Sequence, residues 1–367
     1  MSRFNVGGTS QWLFHLCKGL NEGEIENLLI IGNCPDYEIE DGRVNQLQVT
    51  RVSGLNPSSS IGQTIQAFLN IRKIIKSYQP DLINTHASKG GFIGRIAALT
   101  VRGNSKIVHT YHGHVMRGYF SWPKQTIIQT IEFTLSFMTD AYIVVGKNVL
   151  TELRTLRIIR NQYATSVNPA VTDFSEGKQK TSIVIPNIPA EKLVVGWLGR
   201  KVRIKRIDRI LELAILRPDL HFIIAGVGNS IFTSYKDKFI GEEFKNVTEI
   251  GYISPSEFWP ICDISILTSD NEGIPSAPIE AALFEVPTIT TNAGSAGEVV
   301  VNGFSGFIVT KLSDWLEKID LLTSNPELRK EMGKNARKVA LDCFNSNTNF
   351  ESQLLVYRAV LTSCKKN

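Results

Sequence analysis

The chain has 367 residues, 43% hydrophobic and 20% charged. That is enough for two domains that each bury a core, in the ordinary range for a soluble globular protein. The net charge of +5 is mild and its cations are dispersed among carboxylates, without a basic stripe interleaved with aromatics, which argues against a nucleic-acid partner. Five cysteines, at 17, 34, 262, 343 and 364, are odd in number and lack C-x-x-C spacing, so free thiols in a reducing compartment are expected rather than a disulfide framework or a zinc site.

In chain order, only six residues, short and polar, precede Gly7-Gly8. A Rossmann-like domain normally opens with a buried strand there, so the first strand of the N-terminal domain is expected to be missing. Strands follow at 27–31, 46–52, 81–84, 106–110 and 141–145, with helices at 61–77, 91–101 and 123–137. The most apolar stretch, 126–145, is interrupted by Glu132 and Asp140 and reads as a helix followed by a strand, not a membrane span. The opening residues lack the apolar core of a signal peptide, and a cytoplasmic protein, in reach of the inner face of the membrane, is expected.

Between 161 and 192 the chain turns polar, with three prolines and the run Ser175-Glu-Gly-Lys-Gln-Lys-Thr181, marking the domain boundary. The pattern then restarts with strands at 193–198, 220–225, 247–250, 264–267, 286–290 and 306–309, and helices at 326–341 and 348–361 close the chain. Alternating strands and helices predict two Rossmann-like, doubly wound parallel-sheet α/β domains. The expected boundaries are 1–170 for the first domain, 171–192 for the linker, 193–345 for the second domain and 346–367 for a last helix.

The most informative segment is Ser269-Asp-Asn-Glu-Gly-Ile-Pro-Ser-Ala-Pro-Ile-Glu280. It joins a short apolar, β-branched strand to a helix and sets Glu272 at the carboxyl end of the strand, with Glu280 about two turns along the helix. Ligands bind in that crevice of an open α/β sheet. Amides around Gly273, Ile274 and Pro275 suit a phosphate and the carboxylates suit sugar hydroxyls, the parts of a nucleotide-sugar. Gly199-Arg-Lys-Val-Arg-Ile-Lys205 likewise follows a strand and opens a helix. Arg200 and Lys205 are suited to a diphosphate leaving group, whose charge grows as the glycosidic bond breaks. Taken alone, the basic segment reads rather as a solvated helix start, and each glutamate as a helix-capping or exposed carboxylate.

Together these segments resemble the E-x7-E signature and the Gly-Arg…Lys diphosphate motif of retaining GT-B glycosyltransferases, family 4. Ile223-Ile-Ala-Gly-Val-Gly228, Asn246-Val-Thr-Glu-Ile-Gly-Tyr252 and the Gly7-Gly8 loop are similar to further motifs in the family order. The resemblance implies a nucleotide-diphosphate sugar as co-substrate and no other cofactor. Its diphosphate would lie on Arg200 and Lys205, its ribose on Glu280, and its sugar on Glu272 with Gly273, Ile274 and Pro275. It also implies that Gly7, Gly8 and His112 come from the first domain on closure of a cleft. His112 lies in Val108-His-Thr-Tyr-His-Gly-His114, where His109 is expected to be structural and His114 is left open. No carboxylate or cysteine joins these histidines at ligand spacing, and no D-x-D is present, so no metal is expected.

Thr85-His-Ala-Ser-Lys-Gly-Gly91 and Met116-Arg-Gly-Tyr-Phe-Ser-Trp-Pro-Lys124 resemble loops of members that build bacterial capsular or exopolysaccharide. The acceptor would then be a glycan or lipid-linked sugar. Lys89 with the Gly90-Gly91 amides would then meet its phosphate, or form an ordinary glycine-rich strand–helix turn, and the aromatic, basic stretch would rest on the membrane or be a plain helix entry. The chain departs from the family pattern at Asn168-Pro169, at Glu285 and at Ala293-Gly-Ser295. A nucleotide-sugar 2-epimerase of the same architecture and a non-catalytic partner in a polysaccharide complex fit the same residues. The sugar, the base, the acceptor and the oligomeric state are not encoded in any motif.

Overall fold

The computed structural model describes residues 1–36, 38–101, 103–173, 188–189, 191–226, 231–235 and 237–362. The chain forms two compact units, Met1–Ala170 with Asn345–Asn367, and Val171–Phe344. The run 175–181 and the residues Val227 and Gly228 lie outside the described residues. Among those described, no helix is long and apolar enough to cross a membrane.

Unit 1 runs α1 (Gly8–Glu22), β1 (Leu29–Ile31), β2 (Val49–Arg51), α2 (Ile61–Tyr78), β3 (Leu82–His86), α3 (Ser88–Val101), β4 (Lys106–Tyr111), α4 (Trp122–Ser136), β5 (Ala141–Val144), α5 (Lys147–Thr155) and β6 (Tyr163–Ser166), and ends with the C-terminal helix Ser346–Thr362. Its strands form two parallel sheets, β1-β2 and β3-β4-β5-β6. No strand joins the two sheets among the described residues. Instead Met1 N donates to Ile30 O, Gly32 N donates to Met1 O, and Gly90 N donates to Ser2 Oγ. Strand β6, polar and partly exposed at the sheet edge, falls where the sequence reads only a boundary, because an edge strand needs no apolar run.

Unlike most sheet cores, this one contains charge. Arg95 of α3 is fully buried, and its Nη2 donates to both oxygens of Glu132 in α4, at 2.7 and 2.9 Å. Tyr111 at the end of β4 donates its hydroxyl to the same carboxylate at 2.6 Å. Three elements thus meet on one buried carboxylate.

Unit 2 runs β7 (Val194–Leu198), α6 (Ile207–Leu216), β8 (His221–Ala225), α7 (Ile231–Tyr235), β9 (Val247–Ile250), α8 (Pro255–Phe258), β10 (Ile264–Leu267), α9 (Ser276–Leu283), β11 (Thr288–Thr291), β12 (Gly306–Val309), α10 (Leu312–Ser324) and α11 (Pro326–Cys343). The six strands are parallel in the order β12-β11-β10-β7-β8-β9. The chain therefore builds outward from β7 to β9, then returns to lay β10 on the other side of β7. That reversal is a topological switch point. Trp197, Leu211, Phe222, Ile264 and Ile289 belong to the core beneath it. Glu285, in place of the family's usual glycine, follows α9 in the left-handed region at φ 60°, a conformation costing roughly 1 kcal/mol for a residue with a Cβ.

Breaking the buried pair should be severe. Glu132→Ala leaves Arg95 charged and unpaired, and urea denaturation should show a loss of about 3–5 kcal/mol. Glu243→Ala, which breaks the exposed Lys245–Glu243 pair at 2.8 Å, should leave the midpoint unchanged.

Candidate functional site

In unit 2 the carboxyl ends of β7 and β10 lie side by side at the switch point, and the two sequence motifs leave from them. After β7, Gly199 lies against the Trp197 ring, where a Cβ would come within 2.9 Å of the indole. The chain then makes a single 3-10 turn, Arg203–Lys205, before α6. After β10, Thr268 and Ser269 are fully buried. Thr268 Oγ1 donates to Lys205 O at 2.9 Å, Asp270 N donates to Ile204 O at 2.8 Å, and Arg209 Nη1 donates to Thr268 O at 2.7 Å. The two loops are thereby stitched into one surface.

The stitching delivers a specific contact. Lys205 Nζ lies 2.6 Å from Glu272 Oε1, and Ser269 Oγ donates to the same oxygen at 2.6 Å. Both charged side chains are mostly buried. Two neighbouring cations are engaged by carboxylates: Arg206 bonds Asp208 and Asp270, and Arg209 bonds Asp270. Arg200 is exposed immediately after β7.

Glu280 is buried in the second turn of α9. Gly273, Ile274 and Pro275 form the buried turn that leads into the first helical residue, Ser276. The loop after β11 closes against this turn, with Ser295 N donating to Glu272 O at 3.1 Å. Gly294 sits at φ +59°, where a Cβ would be 2.2 Å from that carbonyl, so the altered turn at 293–295 retains a glycine where the backbones touch.

In unit 1, Gly7 adopts φ 152° and caps α1, with open space where a side chain would be. One turn into α1, the Trp12 ring meets His112 edge-on at 5.3 Å. His112 Nε2 lies 3.0 Å from His86 Nδ1. Burial pushes the His112 imidazole down to about 3, and burial with the neighbouring His112 holds His86 well below its ordinary range. His86 closes β3 on a position that sequence reasoning passes over, because nothing in the motif Thr85–Gly91 marks it as the neighbour of His112.

The other histidines have structural partners. His109 is fully buried, its Nδ1 2.8 Å from Thr85 Oγ1. His114 Nε2 lies 2.7 Å from Glu152 Oε2. Lys89, Gly90 and Gly91 lie in the first turn of α3, each with a partner inside the unit. Lys89 Nζ donates to Asn56 O at 2.6 Å, Gly90 N to Ser2 Oγ and Gly91 N to Ala87 O. Gly91 is required for packing, since a Cβ there would lie 2.4 Å from the His109 ring.

Comparison with known proteins bears on both units. Residues 6–171 match the family described as Glycosyltransferase Family 4, and residues 178–339 the family described as Glycosyl transferases group 1. YtcC of Bacillus subtilis (strain 168), to which glycosyltransferase activity is ascribed, is 32% identical over 294 residues, 72% of this chain and 69% of YtcC. The capsular polysaccharide biosynthesis glycosyltransferase CapM of Staphylococcus aureus is 24% identical over 333 residues, 86% of each chain. An Escherichia coli UDP-Gal:alpha-D-GlcNAc-diphosphoundecaprenol alpha-1,3-galactosyltransferase is 25% identical over 305 residues, 78% of this chain and 77% of its own. Among solved structures, Anabaena HepE in complex with UDP-glucose superposes with a TM-score of 0.77 at 17% identity over 98% of each chain, a likeness of fold.

The buried imidazoles predict an acid-sensitive fold. An unfolded histidine binds its proton near pH 6.5, whereas folded His112 stays neutral down to about 3. The unfolded chain therefore holds more protons in that window, so stability is full above about pH 6.5 and falls as the pH is lowered. Urea midpoints should drop from pH 7 to 5. His112→Asn should flatten the slope by up to about 1.4 kcal/mol per pH unit, one proton's worth.

Proposed function

The chain belongs to the GT-B glycosyltransferases, and we propose that it moves a sugar from a nucleotide-diphosphate sugar to an acceptor hydroxyl with retention, in polysaccharide or other glycan biosynthesis. The observation that carries this reading is the Lys205–Glu272 contact at the switch point of unit 2. It joins a cation suited to a diphosphate with a carboxylate suited to a sugar hydroxyl, on two motifs 67 residues apart. The UDP-glucose of the HepE complex supports the class of donor.

In this proposal Arg200 and Lys205 carry the charge that grows on the diphosphate, without a metal ion, and Glu280 accepts from the ribose diol. Glu272 and the Gly273–Pro275 turn hold the transferred sugar. In unit 1, the open backbone at Gly7-Gly8 allows close approach of a substrate, and His112 addresses a sugar hydroxyl. As the bond from the anomeric carbon to the phosphate oxygen breaks, the acceptor oxygen bonds that carbon from the same face. The acceptor proton passes to the leaving diphosphate, so no side chain serves as a covalent nucleophile.

For the acceptor we propose a lipid-linked sugar at an anionic membrane surface, as the name of the Escherichia coli relative suggests. Support comes from α4 and the segment before it. Trp122, Ile127 and Phe137 are 78, 60 and 64% exposed, and Tyr119, Phe120, Ile131 and Phe133 are exposed beside them. Lys124 sits over Phe120 at 4.1 Å, and Arg160 over Phe137 at 3.9 Å. The single carboxylate of α4, Glu132, is turned inward on Arg95. Apolar side chains rimmed by cations suit the boundary of an anionic bilayer.

Two measurements check this reading. UDP, GDP or ADP at a hundred times its dissociation constant should stabilise the fold by about 2.7 kcal/mol, an effect lost in Glu280→Gln. Glu272→Gln, which releases Lys205, should bind the free diphosphate more tightly while abolishing transfer with retained anomeric configuration. Weaker binding in that variant would count against the site. Separately, the chain should co-sediment with phosphatidylglycerol vesicles. Trp122→Ser combined with Phe137→Ser should reduce that binding by about tenfold or more, and equal binding by the variant would remove α4 from the membrane surface.

A further inference from the structure

The carboxyl ends of β3 and β4 hold a histidine pair of which the proposed function uses only His112. His86 and His112 face one another with ring centroids 5.3 Å apart and planes 29° apart, and their Nδ1 and Nε2 atoms are 3.0 Å apart. His86 is buried. Two neutral imidazoles at this distance share one proton along the contact, and each carries its other ring nitrogen in the complementary state. If His86 Nδ1 is the donor, His112 is bare at Nε2 and carries its proton on Nδ1. If His112 Nε2 is the donor, its Nδ1 is a bare acceptor. Either way the state of the His112 Nδ1 edge is set by His86.

The second ring contact is held just as firmly. Trp12, edge-on to His112 at 5.3 Å, donates its indole N–H to Gln353 Oε1 at 3.0 Å. Gln353 is fully buried in the C-terminal helix; it donates to Asn349 Oδ1 at 2.8 Å, and Asn349 donates to Asn168 O at 2.6 Å. A few residues on, Tyr357 of the same helix meets Asn84, which accepts from Thr110 on β4. The strand end carrying His112 is therefore tied to the C-terminal helix on both sides.

We infer that His86 is a positioning residue: it fixes the tautomer of His112 so that one defined edge, Nδ1, meets the substrate hydroxyl, while Trp12 and Gln353 fix the plane of the ring. This rests on the reading that His112 addresses a sugar hydroxyl. A merely structural histidine at position 86 would affect stability. A positioning one affects the proton on another residue and, through it, the rate of the chemical step.

The test is histidine-selective ¹⁵N NMR of the full chain combined with steady-state kinetics. Wild-type His112 should report a single tautomer, and His86→Leu should report a mixture, with kcat lowered by at least about tenfold and the donor KM within about twofold. Asn places an amide near the position of Nδ1, so His86→Asn should restore most of kcat. Thermal melts identify any variant that fails to fold, in which case His86→Asn alone, with its single tautomer, decides. An unchanged His112 tautomer in folded His86→Leu overturns the inference, as does undiminished kcat. His112→Ala is read apart from these: if it retains full turnover, the underlying reading of His112 falls and the role of His86 with it, whereas full turnover in His86→Leu alone removes only the positioning role.

Discussion

Val195 and Gly196 of β7 pair with Ile264 and Ser265 of β10, and this short parallel contact brings together strands far apart in the chain. It is permitted by a glycine: a Cβ at Gly196 would lie 2.4 Å from the Cys262 sulfur, just before β10. Because parallel strands cannot be joined by a tight turn, the chain reaches β10 by a long crossover, here through β8 and β9. It thereby leaves two loops at the same sheet end with no covalent reason to agree. Side chain–backbone hydrogen bonds supply the agreement. Thr268 to Lys205 O and Arg209 to Thr268 O fix the loops against one another, and only then can the Lys205 ammonium meet the Glu272 carboxylate.

That contact has a thermodynamic consequence. An ion pair with both partners mostly out of water is costly to break one-sidedly, because the remaining charge keeps its desolvation penalty without its partner. On the proposed reading, a diphosphate approaching Lys205 would offer a replacement negative charge, and a sugar hydroxyl would donate to Glu272 as Ser269 already does. Exchange of partners, rather than exposure of bare charge, lets such a site stay folded both empty and filled. The Asp208 and Asp270 carboxylates likewise engage Arg206 and Arg209 beside the site.

Much of unit 2 can be read directly from sequence, because most of its strands are largely buried and therefore written as short apolar runs. Ile264–Leu267 and Gly306–Val309 are read to the residue. The reading fails where burial is partial or the partner is distant. Strand β6 carries Tyr163, Ala164, Thr165 and Ser166, with no apolar run, and α10 starts after Lys311, a residue type that does not mark a helix start. The positions of Glu272 and Lys205 follow from their strand–turn–helix contexts, but their 2.6 Å contact does not, since pairing across the switch point depends on strand order. The same limit conceals His86. A histidine at the end of a strand gains meaning only from the residue opposite it in the next strand, and register is not written in a single motif.

Strand periodicity explains how β4 serves two purposes with consecutive residues. Successive side chains leave a strand on opposite faces. His109 and Tyr111 go to one side, where Thr85, Gly91 and the Arg95–Glu132 pair receive them. Thr110 and His112 go to the other, where Asn84, His86 and Trp12 receive them. The first face is sealed by α3 and α4, where Arg95 Nη2 and Tyr111 both bond the Glu132 carboxylate and His109 Nδ1 lies against Thr85. The second is bounded by α1 and the C-terminal helix, whose Gln353 and Tyr357 hold the receiving residues. A one-residue slip of β4 against β3 would exchange these sets, placing His112 against the ion pair and Tyr111 beside His86. The Arg95–Glu132–Tyr111 cluster opposes that slip, because only a tyrosine at 111 reaches the carboxylate of α4. The buried charge on one face of the strand thus sets the geometry of the histidines on the other.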